Sequence, residues 1–204
     1  MTRIICIAII FVLSGCATHT TNLVKPSIHE PKTQKTVKKS FDDAWKDMVS
    51  GLSRSFFVIN NIEKESGIIN VSYYSEDPYD YIDCGVLHST VDGKTTSIDL
   101  SRDETYAWPY QRGVYRFSGT ARRDVSLSGR VNIYVEAKGE ESTEINANTK
   151  YVVSVLESFY NNNGQSLNQI KTETTFQTGT TGSMYNIVCR GTGELEEKIL
   201  ALVE

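Results

Sequence analysis

The sequence predicts an α+β domain, an antiparallel sheet flanked by an N-terminal and a C-terminal helix. Three patterns carry that expectation. Phe41, Ala44, Trp45, Met48 and Leu52 recur at helical spacing ahead of the strands. Val125, Leu127, Gly129, Val131, Ile133 and Val135 then hold every second position, as in a strand with one buried face. Leu195, Ile199 and Val203 return to a helical period at the end.

Each element follows from local chemistry. Ser40 caps the first helix, and Asp43 three residues on completes a capping-box pattern. Residues 56–60 read as a short strand, 61–67 as a turn and 68–74 as a second strand with Ile69, Val71 and Tyr73 on one face. Asp92-Gly93 is a hairpin signal between strands over 87–91 and 95–100. The long alternation of 125–135 repeats over 145–156 through Ala147, Tyr151, Val153 and Val155. Asn161 to Gly164 turn the chain into a polar strand over 165–178, and 185–188 adds a last one. Thr192 is the expected cap of the second helix, whose Glu194, Glu196 and Glu197 favour its positive end.

The chain start carries a different message. Arg3 precedes ten residues, 4–13, that are almost wholly aliphatic, and Leu13-Ser14-Gly15-Cys16 follows. Ten residues of helix span about 15 Å, half of a bilayer's hydrocarbon core, so this is too short for a permanent membrane helix. The segment resembles the signal peptide and lipobox of bacterial lipoproteins. That resemblance implies removal of residues 1–15, acyl chains on Cys16 and, with Ala17 in place of Asp, sorting to the outer membrane with the domain in the periplasm. Residues 16–40 hold Pro26, Pro31 and five lysines without an apolar period, and read as a flexible tether. A single domain then occupies 41–204.

Charge limits the partners. The 21 Lys+Arg and 25 Asp+Glu of the chain, less six bases and one acid before residue 41, leave 15 against 24, a net −9 for the domain. A nucleic-acid footprint would be basic, so nucleic acid is excluded as a general partner. Cys84 and Cys189 are the two cysteines left to the domain; in an oxidising compartment they bridge, or else stay as two buried thiols. With His88 as its sole histidine, the domain offers no metal set and no cofactor motif.

Ala44-Trp45, Leu52, Phe57-Val58-Ile59 and Gly67-Ile68-Ile69 with Val71 resemble the opening of the helix-grip domains in outer-membrane lipoproteins, notably the lipoprotein of the β-barrel assembly machinery. The resemblance covers roughly residues 41–74 and implies a helix-grip-like fold. The chain has one such domain, not two.

Two stretches invite a functional reading. Residues 102–123 show no sustained period and gather Tyr106, Trp108, Tyr110, Tyr115 and Phe117 among Arg112, Arg116, Arg122 and Arg123. Aromatics with arginines dominate binding hot spots, so Trp108, Tyr110, Arg112 and Arg116 are the candidate partner contacts. Guanidinium forks would also suit anionic lipid or glycan, and an ordinary hairpin with charge-balanced arginines is the plain alternative. Residues 76–83 hold four carboxylates and two tyrosines, but without the spacing of a calcium loop, and suit an acidic surface turn. No nucleophile elbow, zinc-protease motif or phosphate loop is present, and no catalytic residue is assigned. The expected function is a non-catalytic, membrane-anchored interaction or assembly subunit of the envelope. The alternative, a carrier or sensor of lipid or glycan, requires an apolar cavity under Trp45 and Tyr73. The oligomeric state is not legible.

Overall fold

The computed structural model describes residues 19–91, 93–112 and 115–204, with backbone alone at 19, 91, 109–112 and 115–117. β1 (His19–Val24) and β2 (Gln34–Val37) precede α1 (Phe41–Ser53). β3 (Val58–Glu63), β4 (Ile68–Ser75), the short β5 (Ile82–Asp83) and the hairpin β6 (Val86–Val91) and β7 (Lys94–Asp99) follow. β8 (Glu104–Arg112) leads into the two longest strands, β9 (Tyr115–Gly139) and β10 (Ser142–Asn161). β11 (Ser166–Gln177), β12 (Thr181–Met184), β13 (Ile187–Gly191) and α2 (Glu194–Leu200) complete the chain.

The expected α+β class is corrected by this inventory. Strands make up 60% of the described residues and helices 11%, and the fold is a β-sandwich-like arrangement of several antiparallel sheets, not a helix-grip domain. Length explains why. β9 has 25 residues and β10 has 20, so their hairpin extends on the order of 65–80 Å at about 3.3 Å per residue. α1, at 13 residues, reaches about 20 Å, and α2, at seven, about 10 Å. Two such helices leave most of the inner face bare, and further strands must cover it.

The main sheet runs β11-β10-β9-β4-β3, with β2 also on β10 and β8 also on β9. Near the β9–β10 turn its flanks are β4 and β2; toward the other end they are β8 and β11. Two smaller sheets, β1-β6-β7 and β12-β13-β5, supply the rest of the cover. Ile82, Ile98, Met184 and Cys189 from these sheets join Ile69, Leu127, Val131, Ile145 and Val153 of the main sheet in one core with both helices. The inward alternation expected over 125–135 holds: Val125, Leu127, Val131, Ile133 and Val135 are buried, and Gly129 fits the same series for a steric reason. A Cβ there would strike the Lys150 carbonyl and stand 2.6 Å from the Tyr73 hydroxyl.

Ser40 caps α1 as expected, its hydroxyl accepting from the Asp43 N–H at 3.2 Å and donating to the Asp43 carboxylate at 2.8 Å. The second cap differs. Gly193, at φ +96°, is the N-cap of α2. Thr192 instead donates its hydroxyl to the Asp80 carbonyl at 2.7 Å and accepts from the Glu194 N–H at 3.3 Å.

The span 16–40, expected as a tether, contains β1 and β2. β1 pairs with β6, and β2 pairs with β10 and buries Val37. Between them the Ser27 N–H donates to Asp83 at 3.0 Å, and the Ala147 N–H donates to the Thr33 carbonyl at 2.8 Å. The paired part of the chain therefore begins ahead of residue 41. Cys84 and Cys189 form a disulfide in the core, which removes the two-thiol alternative and leaves Cys84 without a thiol to act as a nucleophile. Among the described residues no helix is long and apolar enough to cross a membrane.

Candidate functional site

The aperiodic stretch 102–123 is a hairpin, not a loop: β8 pairs with the first part of β9 from Glu104↔Arg123 to Arg112↔Tyr115. β8 is an outer strand, which is how it accommodates Pro109, a residue with no N–H for a second neighbour. Together with the ends of β10 and β11 it makes a four-stranded arm, in the order β8-β9-β10-β11.

An ion pair between a buried arginine and a half-buried glutamate sets the root of the arm. Arg123, 2% exposed, faces inward and donates to Glu157 at 3.0 Å and twice to the Leu100 carbonyl, at 3.3 and 3.2 Å. Tyr106 donates to the same Glu157 at 3.1 Å. Burial first, and the Glu157 charge second, push the Tyr106 phenol up to about 12. The cluster satisfies its own charges and holds β8, β9 and β10 in register.

Aromatic and aliphatic groups take over beyond that root. The Trp108 ring packs on Phe159 at 4.6 Å between centroids. On the neighbouring strand, residues 166–171 of β11 are exposed on both faces, and Leu167 and Ile170 show 46% and 37% of their surface. Of the four residues singled out in the sequence, Trp108 is half-buried in this patch. The backbone register sets Tyr110 opposite Phe117 and Arg112 opposite Tyr115, two and four positions along β8 from Trp108. Arg116 pairs with Gln111, one position out of phase with those three. The side chains of Tyr110, Arg112 and Arg116 lie outside the described residues. The other arginines are balanced: Arg102 meets Asp99 at 3.2 Å and lies 3.9 Å over the Tyr79 ring, and Arg122 meets Asp124 at 2.8 Å.

Phe159, Leu167 and Ile170 did not emerge from the sequence as site residues. Phe159 had a signal, because it continues the series Tyr151, Val153, Val155 after one charged interruption at Glu157.

The acidic stretch 76–83 is a structural turn. Asp83 accepts from the backbone N–H groups of Ser27 and Gly85, at 3.0 and 2.8 Å. Tyr81 stacks on Phe56 and receives Lys198, whose Nζ donates to its hydroxyl at 2.8 Å. Among the described residues no group of acidic, histidine or cysteine side chains is arranged to hold a metal ion.

The space beneath Trp45 and Tyr73, where a carrier needs its cavity, belongs to the core. Both are buried together with Met48, Leu52, Phe57 and Tyr151. It also contains a carboxylate that the sequence reading gave to the helix dipole alone. Glu196, fully buried, accepts from the Tyr151 hydroxyl at 2.9 and 3.0 Å and from Thr178 at 2.5 Å. Burial, then the Glu196 charge, push the phenols of Tyr151 and Tyr73 far above the ordinary range. On the opposite, wet face of the sheet, a groove of about 630 Å³ is lined by Arg122, Lys171, Glu76, Asp124 and serines, a mixed-charge surface selective for neither sign.

Comparison with known protein families, with curated proteins and with solved structures returns no significant match.

Proposed function

We propose that this chain is a non-catalytic lipoprotein of the bacterial envelope that acts as a protein-interaction or assembly subunit. Acyl chains on Cys16 hold it on the outer membrane, with the folded part in the periplasm. Two or more chains, each adding about 0.8 kcal/mol per buried methylene, make such an anchor stable.

The observation that supports docking is the arm. Its last strand, β11, leaves residues 166–171 in solvent on both faces, beside the Trp108–Phe159 pair. An edge strand offers unpaired backbone groups to an incoming segment, and neighbouring aromatic and apolar side chains supply anchors. Trp108, Tyr110, Arg112 and Arg116 remain the proposed contacts on β8. The packed core under Trp45 and Tyr73 weighs against the carrier reading.

The test is in-cell photocrosslinking of the intact protein from the exposed position 167. A dominant protein adduct is expected, and its yield should fall at least tenfold when Trp108, Tyr110, Arg112 and Arg116 are all replaced by alanine, the loss of about 1.4 kcal/mol or more. Adducts with lipid or glycan alone would overturn the docking reading.

A further inference from the structure

We propose that the sheet β1-β6-β7 is a short rigid stalk whose outer end, the β6–β7 turn, rests on lipid headgroups. This rests on lipidation of Cys16. Only Ala17 and Thr18 separate that cysteine from His19, the first residue of β1. Three residue steps at about 3.5 Å place the lipidated residue within roughly 10 Å of the sheet.

The register fixes which end of the sheet that is. His19 pairs with Val91, and Val91 pairs with Lys94, so the chain start and the β6–β7 turn share one end. At the other end Leu23, Leu87 and Ile98 lie in one row; Ile98 is buried and the two leucines pack against the core. The sheet thus has a root in the domain and a tip beside the anchor, one strand length of about 20 Å apart.

The tip suits a headgroup layer and not its hydrocarbon. Thr20, Thr21, Gly93, Lys94, Thr95 and Thr96 are exposed, and in the turn sequence the charge of Lys94 is balanced by Asp92. The Thr90 and Thr95 hydroxyls share a hydrogen bond of 2.8 Å across the hairpin. Nor is there slack behind β1. Ser27 is tied to Asp83, Pro31 lies against Gly193, and β2 is paired into the main sheet. An anchored chain of this build holds its acidic domain at a fixed height over the membrane.

The experiment uses the full-length protein, purified with its anchor and inserted into vesicles of phosphatidylethanolamine and phosphatidylglycerol carrying a headgroup nitroxide. A fluorophore on Lys94→Cys reads proximity, and intact mass reads acylation of the same sample. Quenching is expected at position 94. It should be lost when a Gly/Ser spacer of about 20 residues, with a reach of about 25 Å, is inserted between Thr18 and His19. An acylated sample without quenching at position 94, or with quenching that survives the spacer, overturns the stalk alone. A sample without acyl mass overturns the anchor, and the stalk with it.

Discussion

The ammonium of Lys35 donates to the carbonyl of Val203 at 2.5 Å and to that of Leu200 at 3.2 Å, closing the C-terminal end of α2 from β2, 168 positions away in the chain. Free carbonyls at a helix end carry partial negative charge, so a cation there satisfies both hydrogen bonding and the helix dipole. Lys35→Met, which keeps the stem and removes the charge, should cost about 1 kcal/mol in denaturant titration. No change in midpoint would mean that water serves these carbonyls equally well.

Glu196 joins α2 to the sheet through Tyr151 and Thr178. Glu196→Leu takes the carboxylate from the buried Tyr151 hydroxyl and leaves Thr178 with its Thr149 partners alone, and should destabilise by about 1–3 kcal/mol. Glu196→Gln keeps an acceptor and should lose less than half of that. Equal losses in the two variants would assign the effect to shape and not to hydrogen bonding.

The Cys84–Cys189 bridge spans 105 positions and is buried. In the chain-entropy account it stabilises by about 4–5 kcal/mol. The paired Ser variants should show that loss, whereas reductant alone should leave the native protein oxidised until denaturant opens the core. Rapid reduction of the folded protein, read by thiol labelling, would contradict the burial.

Alkaline pH should unfold the domain through its tyrosines. Tyr106 is raised to about 12, against about 10 in an unfolded chain, and Tyr151 and Tyr73 shift in the same direction. A folded-state value above the unfolded one means stability is whole below about pH 10 and is lost as pH climbs through the folded value. The denaturation midpoint should therefore fall between pH 10 and 12, with phenolate absorbance appearing together with unfolding. A midpoint that stays level over that window would show these phenols to be solvated.

Gly191 faces the Tyr151 ring, where a Cβ would stand 2.6–2.9 Å from three ring and hydroxyl atoms. Gly191→Ala should cost about 1–3 kcal/mol by overpacking, and Tyr151→Leu in the same chain should recover part of it. Additive losses in the double variant would place the strain elsewhere.

The sequence patterns were legible wherever burial was one-sided. Val125 to Val135 alternate because one face meets the core and the other meets water. They failed where charges face inward. Arg123 and Glu157 break the apolar series on β9 and β10, yet pair with each other across 34 positions, a match no local window detects. Glu196 hid in the same way, standing among the buried Leu195, Ile199 and Leu200 on α2. β1 hid for the opposite reason, since its outer end is exposed on both faces and carries no pattern at all. The arm was half-legible. Its aromatic content marked Trp108, but Phe159, which packs on it, and the exposed Ile170 come from strands about 50 and 60 residues further on, joined in one arm only by sheet pairing.

Lys35 and Val203 also bear on how the chain finds its structure. During synthesis the N-terminal strands emerge first, but β2 has nothing to pair with until Thr143 to Asn146 exist, and Lys35 has no carbonyls to reach until the final turn is made. Every seat for the first segment is built from later residues, so folding there is closed from the end backwards. Such long-range closure is slow, because loop entropy is lost before contacts compensate.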